Sequence, residues 1–100
     1  MSAVFIGAYE PLPVDGRKSF YHKAMVNKYS DGSEILVSYT TPVAKKNPDG
    51  TIKRLYGGWS QTTGRHIKAF CGMSKSEFMA LPYNVTPAEK AMAYSGTLYR

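Results

Sequence analysis

Ser30-Asp31-Gly32-Ser33 lies between two runs in which apolar and polar residues alternate, and nothing else in the chain restricts its fold as much. Asp-Gly in that setting is the strongest short signal for a β-hairpin, because the turn needs residues that accept positive φ. A two-residue Asp31-Gly32 loop pairs Val26 with Val37, Ala24 with Tyr39 and Phe20 with Val43. All these pairs fall on one sheet face, and a one-residue slip would carry each apolar set to the other face, so the pattern favours this register. The second turn, Asn47-Pro48-Asp49-Gly50, reads as a type I turn closed by Gly in a left-handed bulge position, a three-residue loop. It sets Asn47 opposite Thr51, Val43 opposite Leu55 and, further out, Tyr39 opposite Trp59 toward the core. A two-residue loop would oppose Lys46 to Lys53 and Lys45 to Arg54, whereas the three-residue loop keeps only Lys45 opposite Lys53.

Residues 3 to 9 form a further strand-like run, and Glu10-Pro11-Leu12-Pro13-Val14-Asp15-Gly16 is a loop, because prolines at that density cannot join a ladder. The C-terminal part is helical. Thr62 or Thr63 is the expected N-cap of a helix whose buried stripe is Ile67, Phe70 and Cys71, with Gly72 ending it in a left-handed conformation. Ser74-Lys75-Ser76-Glu77 is a capping box followed by Phe78 and Leu81 on one face and stopped by Pro82. Thr86-Pro87-Ala88-Glu89 is another, with Pro at the first helical position, and Gly96 would end its helix. The expected class is α+β: an antiparallel sheet of three or four strands with two or three short C-terminal helices packed on one face. That face carries Phe20, Ala24, Val26, Val37, Tyr39, Val43, Leu55 and Trp59. One hundred residues are read as a single domain: residues 1–16 a strand and Pro-rich loop, 17–60 two hairpins, 61–96 the helical part.

No apolar run is long enough to cross a bilayer, the first residues are too short for a signal peptide, and one Cys excludes an internal disulfide framework. A cytoplasmic protein is the expectation. Charge is uneven: residues 17 to 68 hold ten of the 13 basic residues against Asp31, Glu34 and Asp49, which suits nucleic acid or an acidic protein surface as a partner and equally suits solubility charge on the exposed side of a sheet.

The residue types that catalysis needs are mostly accounted for by architecture. Asp31 and Asp49 belong to turns and Glu77 and Glu89 to capping boxes, leaving no carboxylate pair for acid–base work. Cys71 lies on an apolar stripe, and His22, His66 and Cys71 lack metal-ligand spacing. Gly57-Gly58 precedes a helix but no phosphate-loop pattern follows. A non-enzymatic protein without cofactor or metal is expected.

His66 borders the buried stripe and reads first as a partly buried ring bonded to a loop carbonyl or hydroxyl, and second as a ligand contact. Arg65 is a cation in the helix's opening turns, which suits either pairing with Glu77 or Glu34 or an anionic partner. The register places Tyr21, Lys23, Met25, Asn27 and Tyr29 on the outer sheet face, beside Leu36, Ser38 and Thr40, then Ile52, Arg54 and Tyr56. Tyr interleaved with Lys and Arg suits base stacking with phosphate neutralisation, or a protein interface. The candidate partner-binding residues are therefore Tyr21, Lys23, Tyr29, Lys46, Arg54, Tyr56, Arg65, His66 and Lys68.

Ser38-Tyr39-Thr40-Thr41-Pro42-Val43-Ala44, Gly58-Trp59-Ser60-Gln61-Thr62-Thr63-Gly64-Arg65-His66-Ile67 and Phe70-Cys71-Gly72-Met73-Ser74-Lys75 together resemble a small domain of phage and mobile-element proteins. That family is one of unknown function, with a Ser-Tyr-x-Thr-Pro-Val-Ala strand and a Thr-Thr-x-x-His-Ile-x-x-Phe helix; the resemblance covers about residues 20 to 81 and implies no catalytic residues. It implies a small phage-type binding protein that engages and inhibits a host macromolecular complex, in defence or nucleic-acid processing. The alternatives are direct nucleic-acid binding through the basic, aromatic sheet face, and a sponge for a small anionic signal nucleotide at the helix start around Thr62 to Arg65. A monomer or small homo-oligomer fits each.

Overall fold

Five strands in a meander and two helices make up the computed structural model, which describes residues 4–11, 23–83, 85–87 and 89. The strands β1 (Phe5–Tyr9), β2 (Ala24–Tyr29), β3 (Glu34–Ser38), β4 (Thr41–Lys46) and β5 (Ile52–Arg54) pair antiparallel in the order β1-β2-β3-β4-β5. Helices α1 (Gln61–Cys71) and α2 (Lys75–Met79) follow. The class is α+β as expected, with more strands than sequence reading gives.

The extra strand comes from one turn. Sequence pattern runs residues 34 to 46 together as a single strand, but the chain reverses at Tyr39-Thr40, where Ser38 faces Thr41. Tyr39 takes φ 57°, a left-handed conformation rare for a residue with a side chain. It stands 56% exposed in the turn, so it neither faces the core nor opposes Trp59. A bulge then puts Val43 as an extra residue on β4 between the pairs Leu36–Ala44 and Val37–Pro42, and Val43 and Ala44 both enter the same core cluster.

The first hairpin is one residue out of the expected register. Val26 opposes Leu36 and Ala24 opposes Ser38, because the loop has three residues, Ser30-Asp31-Gly32. Tyr29 N–H donates to Ser33 O at 3.0 Å and Gly32 N–H to Tyr29 O at 3.0 Å, with Gly32 at φ 91°. The second hairpin repeats this geometry and matches its expected register: Asn47 N–H donates to Thr51 O at 2.8 Å, Gly50 N–H to Asn47 O at 2.9 Å, and Gly50 sits at φ 90°. In both loops the Asp carboxylate accepts from the residue two positions on, the last before the strand, and holds the turn in place. Asp31 Oδ1 accepts from Ser33 N–H at 2.9 Å, and Asp49 Oδ1 from Thr51 N–H at 3.0 Å; each also accepts the neighbouring hydroxyl. Those bonds hold both carboxyls below their usual range.

With the slip, the sheet buries both faces. Ala24, Val26, Leu36, Val43 and Ala44 pack under Ile67, Phe70 and Phe78 of the helices. Tyr29, Ile35, Val37 and Leu55 form a second cluster joined by Phe5 and Val85. Val37 and Leu55 thus belong to the face opposite the one expected; Phe20 lies outside the described residues. Val85 and Glu89 come to this second face, where Lys53 Nζ meets Glu89 Oε1 at 2.6 Å. This ion pair answers the Lys45–Lys53 opposition that the register imposes. Glu89 also closes the expected capping box: its Oε1 accepts from Thr86 N–H at 2.9 Å, and its own N–H donates to Thr86 Oγ1 at 3.2 Å. Burial raises its carboxyl, but the bonds from Lys53 and Thr86 outweigh that and leave it below its ordinary value.

Both described helices carry strong caps. Ser60, not Thr62 or Thr63, is the N-cap of α1: its Oγ accepts from Thr63 N–H at 3.1 Å, and Gly72 at φ 75° ends the helix as expected. The helix therefore starts earlier than its apolar stripe suggests. Ser74 and Glu77 form the reciprocal capping box of α2. Trp59 packs against the first cluster, 5.9 Å from the Phe78 ring, with its indole seated on Gly64. A Cβ on Gly64 would fall 2.8 Å from Trp59 Cε2. Gly64→Ala is therefore expected to lower stability by about 1–3 kcal/mol through overpacking, although Ala is the better helix former. Urea unfolding checks it, and a variant as stable as the parent would contradict the packing argument.

Candidate functional site

The nine candidate residues do not form one surface. Tyr21 lies outside the described residues. Lys23 and Lys68 are exposed. Lys23 sits just before β2, where its carbonyl accepts from Tyr39 N–H at 2.6 Å. Lys68 lies with Gln61 and Arg65 along the outward side of α1, and no acidic residue occurs in that helix.

Tyr29 does belong to the face away from the helices, but it is buried there, with the Phe5 ring edge-on at 6.1 Å. It offers no stacking platform. Arg54 and Tyr56 are placed on the helix side, not the outer face. Leu36 and Ser38 change sides in the same way, since Leu36 joins the helix-side cluster and Ser38 bonds to a side chain of α1. Tyr56 is half-buried against the first cluster.

Arg54 is 8% exposed and acts as a staple. Its Nε donates to Tyr56 O at 2.9 Å and its Nη2 to Gly57 O at 2.7 Å, while Nη1 reaches Leu81 O at 3.2 Å and Met79 O at 3.4 Å. The guanidinium lies 5.7 Å from the Phe78 ring centre and 5.4 Å from that of Tyr83. A planar fork with five donors is the one side chain suited to collecting carbonyls from two loops at once.

Lys46 plays a smaller version of the same part. Its Nζ sits 4.9 Å over the Phe70 ring and donates to Phe70 O at 3.4 Å, in the last turn of α1, where a cation complements the helix dipole.

His66 is 2% exposed, and its Nδ1 lies 2.8 Å from Ser38 Oγ, so the reading of a ring bonded to a hydroxyl is the one realised. Ser38 carried no sequence signal for this role. Burial, and then the Arg65 charge beside it, push the imidazole below its ordinary value of 6.5. The unfolded chain accordingly binds a proton that the folded chain refuses. His66 therefore contributes stability that is full above 6.5 and falls as pH drops from there toward the lowered value. Thermal melts between about pH 7 and pH 5 are expected to show a declining Tm in the parent and a flatter profile in His66→Gln. Equal slopes would show that His66 does not carry the dependence.

Cys71 is half-buried, donates to Ile67 O at 3.4 Å, and has its thiol pushed up by burial, which suits packing better than nucleophilic chemistry. Among the described residues no group of three His, Cys, Asp or Glu side chains could hold a metal ion, and no helix is long and apolar enough to cross a membrane.

Fold and surface together define a small α+β domain: an antiparallel meander with helices on one face and a cationic exterior. Residues 8–82 match a family of unknown function, DUF8033, and the chain belongs to that family. The match spans all five strands in whole or part and both helices, and agrees with the expectation of a small domain family of unknown function. Comparisons with curated proteins and with solved structures gave no match.

Proposed function

We propose that this protein is a small non-enzymatic binding protein of the phage type, which engages a host macromolecular complex in the host cytoplasm and inhibits it. The division of its polar residues supports this reading. His66 is buried in the core and Glu89 is half-buried, while Asp31, Asp49 and Glu77 lie at the surface with carboxylates engaged in turn and cap hydrogen bonds; Lys23, Lys28, Lys68 and Lys75 stand exposed beside them. A cationic surface whose aromatic neighbours are partly withdrawn into the fold suits an acidic protein surface better than stacked bases. Direct nucleic-acid binding finds Tyr56 half-buried against the first cluster where it would stack, and loses Arg54 as a phosphate contact. A signal-nucleotide sponge at the start of α1 would have to displace the Ser60 cap and the Trp59 ring seated on Gly64.

Affinity capture from host lysate followed by mass spectrometry tests the reading. A defined complex is expected to be recovered by the parent and lost with Lys23→Glu plus Lys68→Glu, and its activity is expected to fall on adding the protein. Recovery unchanged by charge reversal would overturn the proposal. So would tight binding of short DNA or RNA that weakens steeply with salt, the signature of phosphate contacts. Stabilisation by a cyclic dinucleotide in a thermal-shift panel would favour the sponge instead.

A further inference from the structure

The second sheet face receives side chains from beyond the residues that match the family. The match ends at residue 82. Val85 packs on the cluster of Tyr29, Ile35, Val37 and Leu55, and Glu89 reaches Lys53 on the same face. Just past the match the chain is anchored: Tyr83 forms a parallel bridge with Arg54, whose guanidinium stands 5.4 Å from the Tyr83 ring centre. Thr86 and Glu89 make a second attachment, and it converges on one atom. Glu89 Oε1 accepts from Lys53 Nζ at 2.6 Å, from Thr86 N–H at 2.9 Å and from Thr86 Oγ1 at 2.9 Å. A single carboxylate oxygen thus joins the capping box to the sheet beneath it.

We infer that Glu89 is the latch of a strap, hinged at Tyr83, that carries Val85 onto the second face and opens with the sheet intact when the carboxylate is neutralised. Lys53 on β5 stands directly opposite Lys45 on β4. Like charges so placed repel, and the Glu89 carboxylate offsets that repulsion at Lys53. Hydrogen bonds to a charged acceptor are roughly twice as strong as neutral ones, so removing the charge weakens all three bonds together. The sheet does not depend on them. Its ladder runs from β1 to β5, and Ala24, Val26, Leu36, Val43 and Ala44 pack on the other face under Ile67, Phe70 and Phe78. A segment laid by its side chains on a hydrogen-bonded sheet opens at a lower free energy than the sheet unfolds. One carboxylate therefore sets access to the Val85 side of the second cluster.

Thiol labelling of the full chain tests this. Val85→Cys in a Cys71→Ala background places a reporter under the strap. Its reaction with a maleimide is expected to quicken about tenfold when Glu89→Gln is added, which corresponds to about 1.4 kcal/mol of latch. Lys53→Met is expected to quicken it less, because the Thr86 bonds remain, and to add little once Glu89→Gln is present. Hydrogen exchange of the α1 amides should stay at its parent rate in all these variants. Equal labelling with and without Glu89→Gln overturns the proposal. A rise in α1 exchange that matches the rise in labelling does so too, since Val85 would then be released only by unfolding. Effects of Lys53→Met and Glu89→Gln that add in full would show two side chains acting apart, and would overturn the latch equally.

Discussion

Arg54→Ala is expected to destabilise the protein by about 3–5 kcal/mol, the range for removing one partner of a buried charged network. The mechanism is orphaned acceptors. The guanidinium gathers the carbonyls of Tyr56 and Gly57 after β5 and those of Met79 and Leu81 at the end of α2. With a methyl group in its place, those oxygens depend on whatever water can enter beside Phe78. Arg54→Lys is expected to recover little, since one ammonium cannot reach carbonyls spread across two loops. Arg54→Met should fall between, keeping the stem's packing and losing every bond. Urea unfolding with matched m-values measures all three. An alanine variant within about 1 kcal/mol of the parent would mean that solvent satisfies these carbonyls and that Arg54 is a surface residue after all.

That result also bears on what the sequence could show. Arg54 reads as a surface cation in a strand with alternating polarity, and nothing local marks it as buried. Its role depends on Met79 and Leu81, 25 and 27 positions away, which arrive only through tertiary packing. Features encoded within four or five residues were legible: the position of both hairpin turns, the length of the second, the Gly72 stop and the two capping boxes form where their residues predict.

Register was legible in one hairpin and misread in the other, for a definite reason. Glu34-Ile35-Leu36-Val37-Ser38 is apolar on both faces, so the hydrophobic pattern accepts either register and cannot arbitrate. The decisive signal lay in the turns. Asp31-Gly32-Ser33 and Asp49-Gly50-Thr51 are the same motif, an Asp that accepts from the residue two ahead with Gly between. Treating them alike gives both loops three residues. Pro42 was the comparable clue to the missed turn at Tyr39, because a proline within an apparent central strand argues against continuity.

The candidate site was less legible than the fold. Which cations stay on the surface depends on side-chain packing, and the one-residue slip moved Arg54, Leu36 and Ser38 to the helix side. Lys23 and Lys68 kept their expected exposure because each lies outside the sheet's interior, in a turn region and on the outward stripe of α1.

Phe78→Ala is expected to cost about 3–5 kcal/mol, as for other large aromatic truncations in a core. Five-residue α2 cannot stand alone: a helix that short does not repay its nucleation, even with the Ser74–Glu77 capping box. Phe78 is its one buried residue, fully enclosed in the helix-side core cluster, with Trp59 at 5.9 Å. Truncation therefore releases the helix, and with it the carbonyls of Met79 and Leu81 that Arg54 holds. The two losses overlap, so Arg54→Ala and Phe78→Ala together should cost less than their sum, by about 0.5–3 kcal/mol of coupling. Trp59 reports the same event in the native state, since loss of Phe78 opens one side of its ring and should shift its emission to the red. Strict additivity, within about 0.5 kcal/mol, together with unchanged emission, would show that α2 is held independently of Phe78 and that the staple and the aromatic anchor are separate devices.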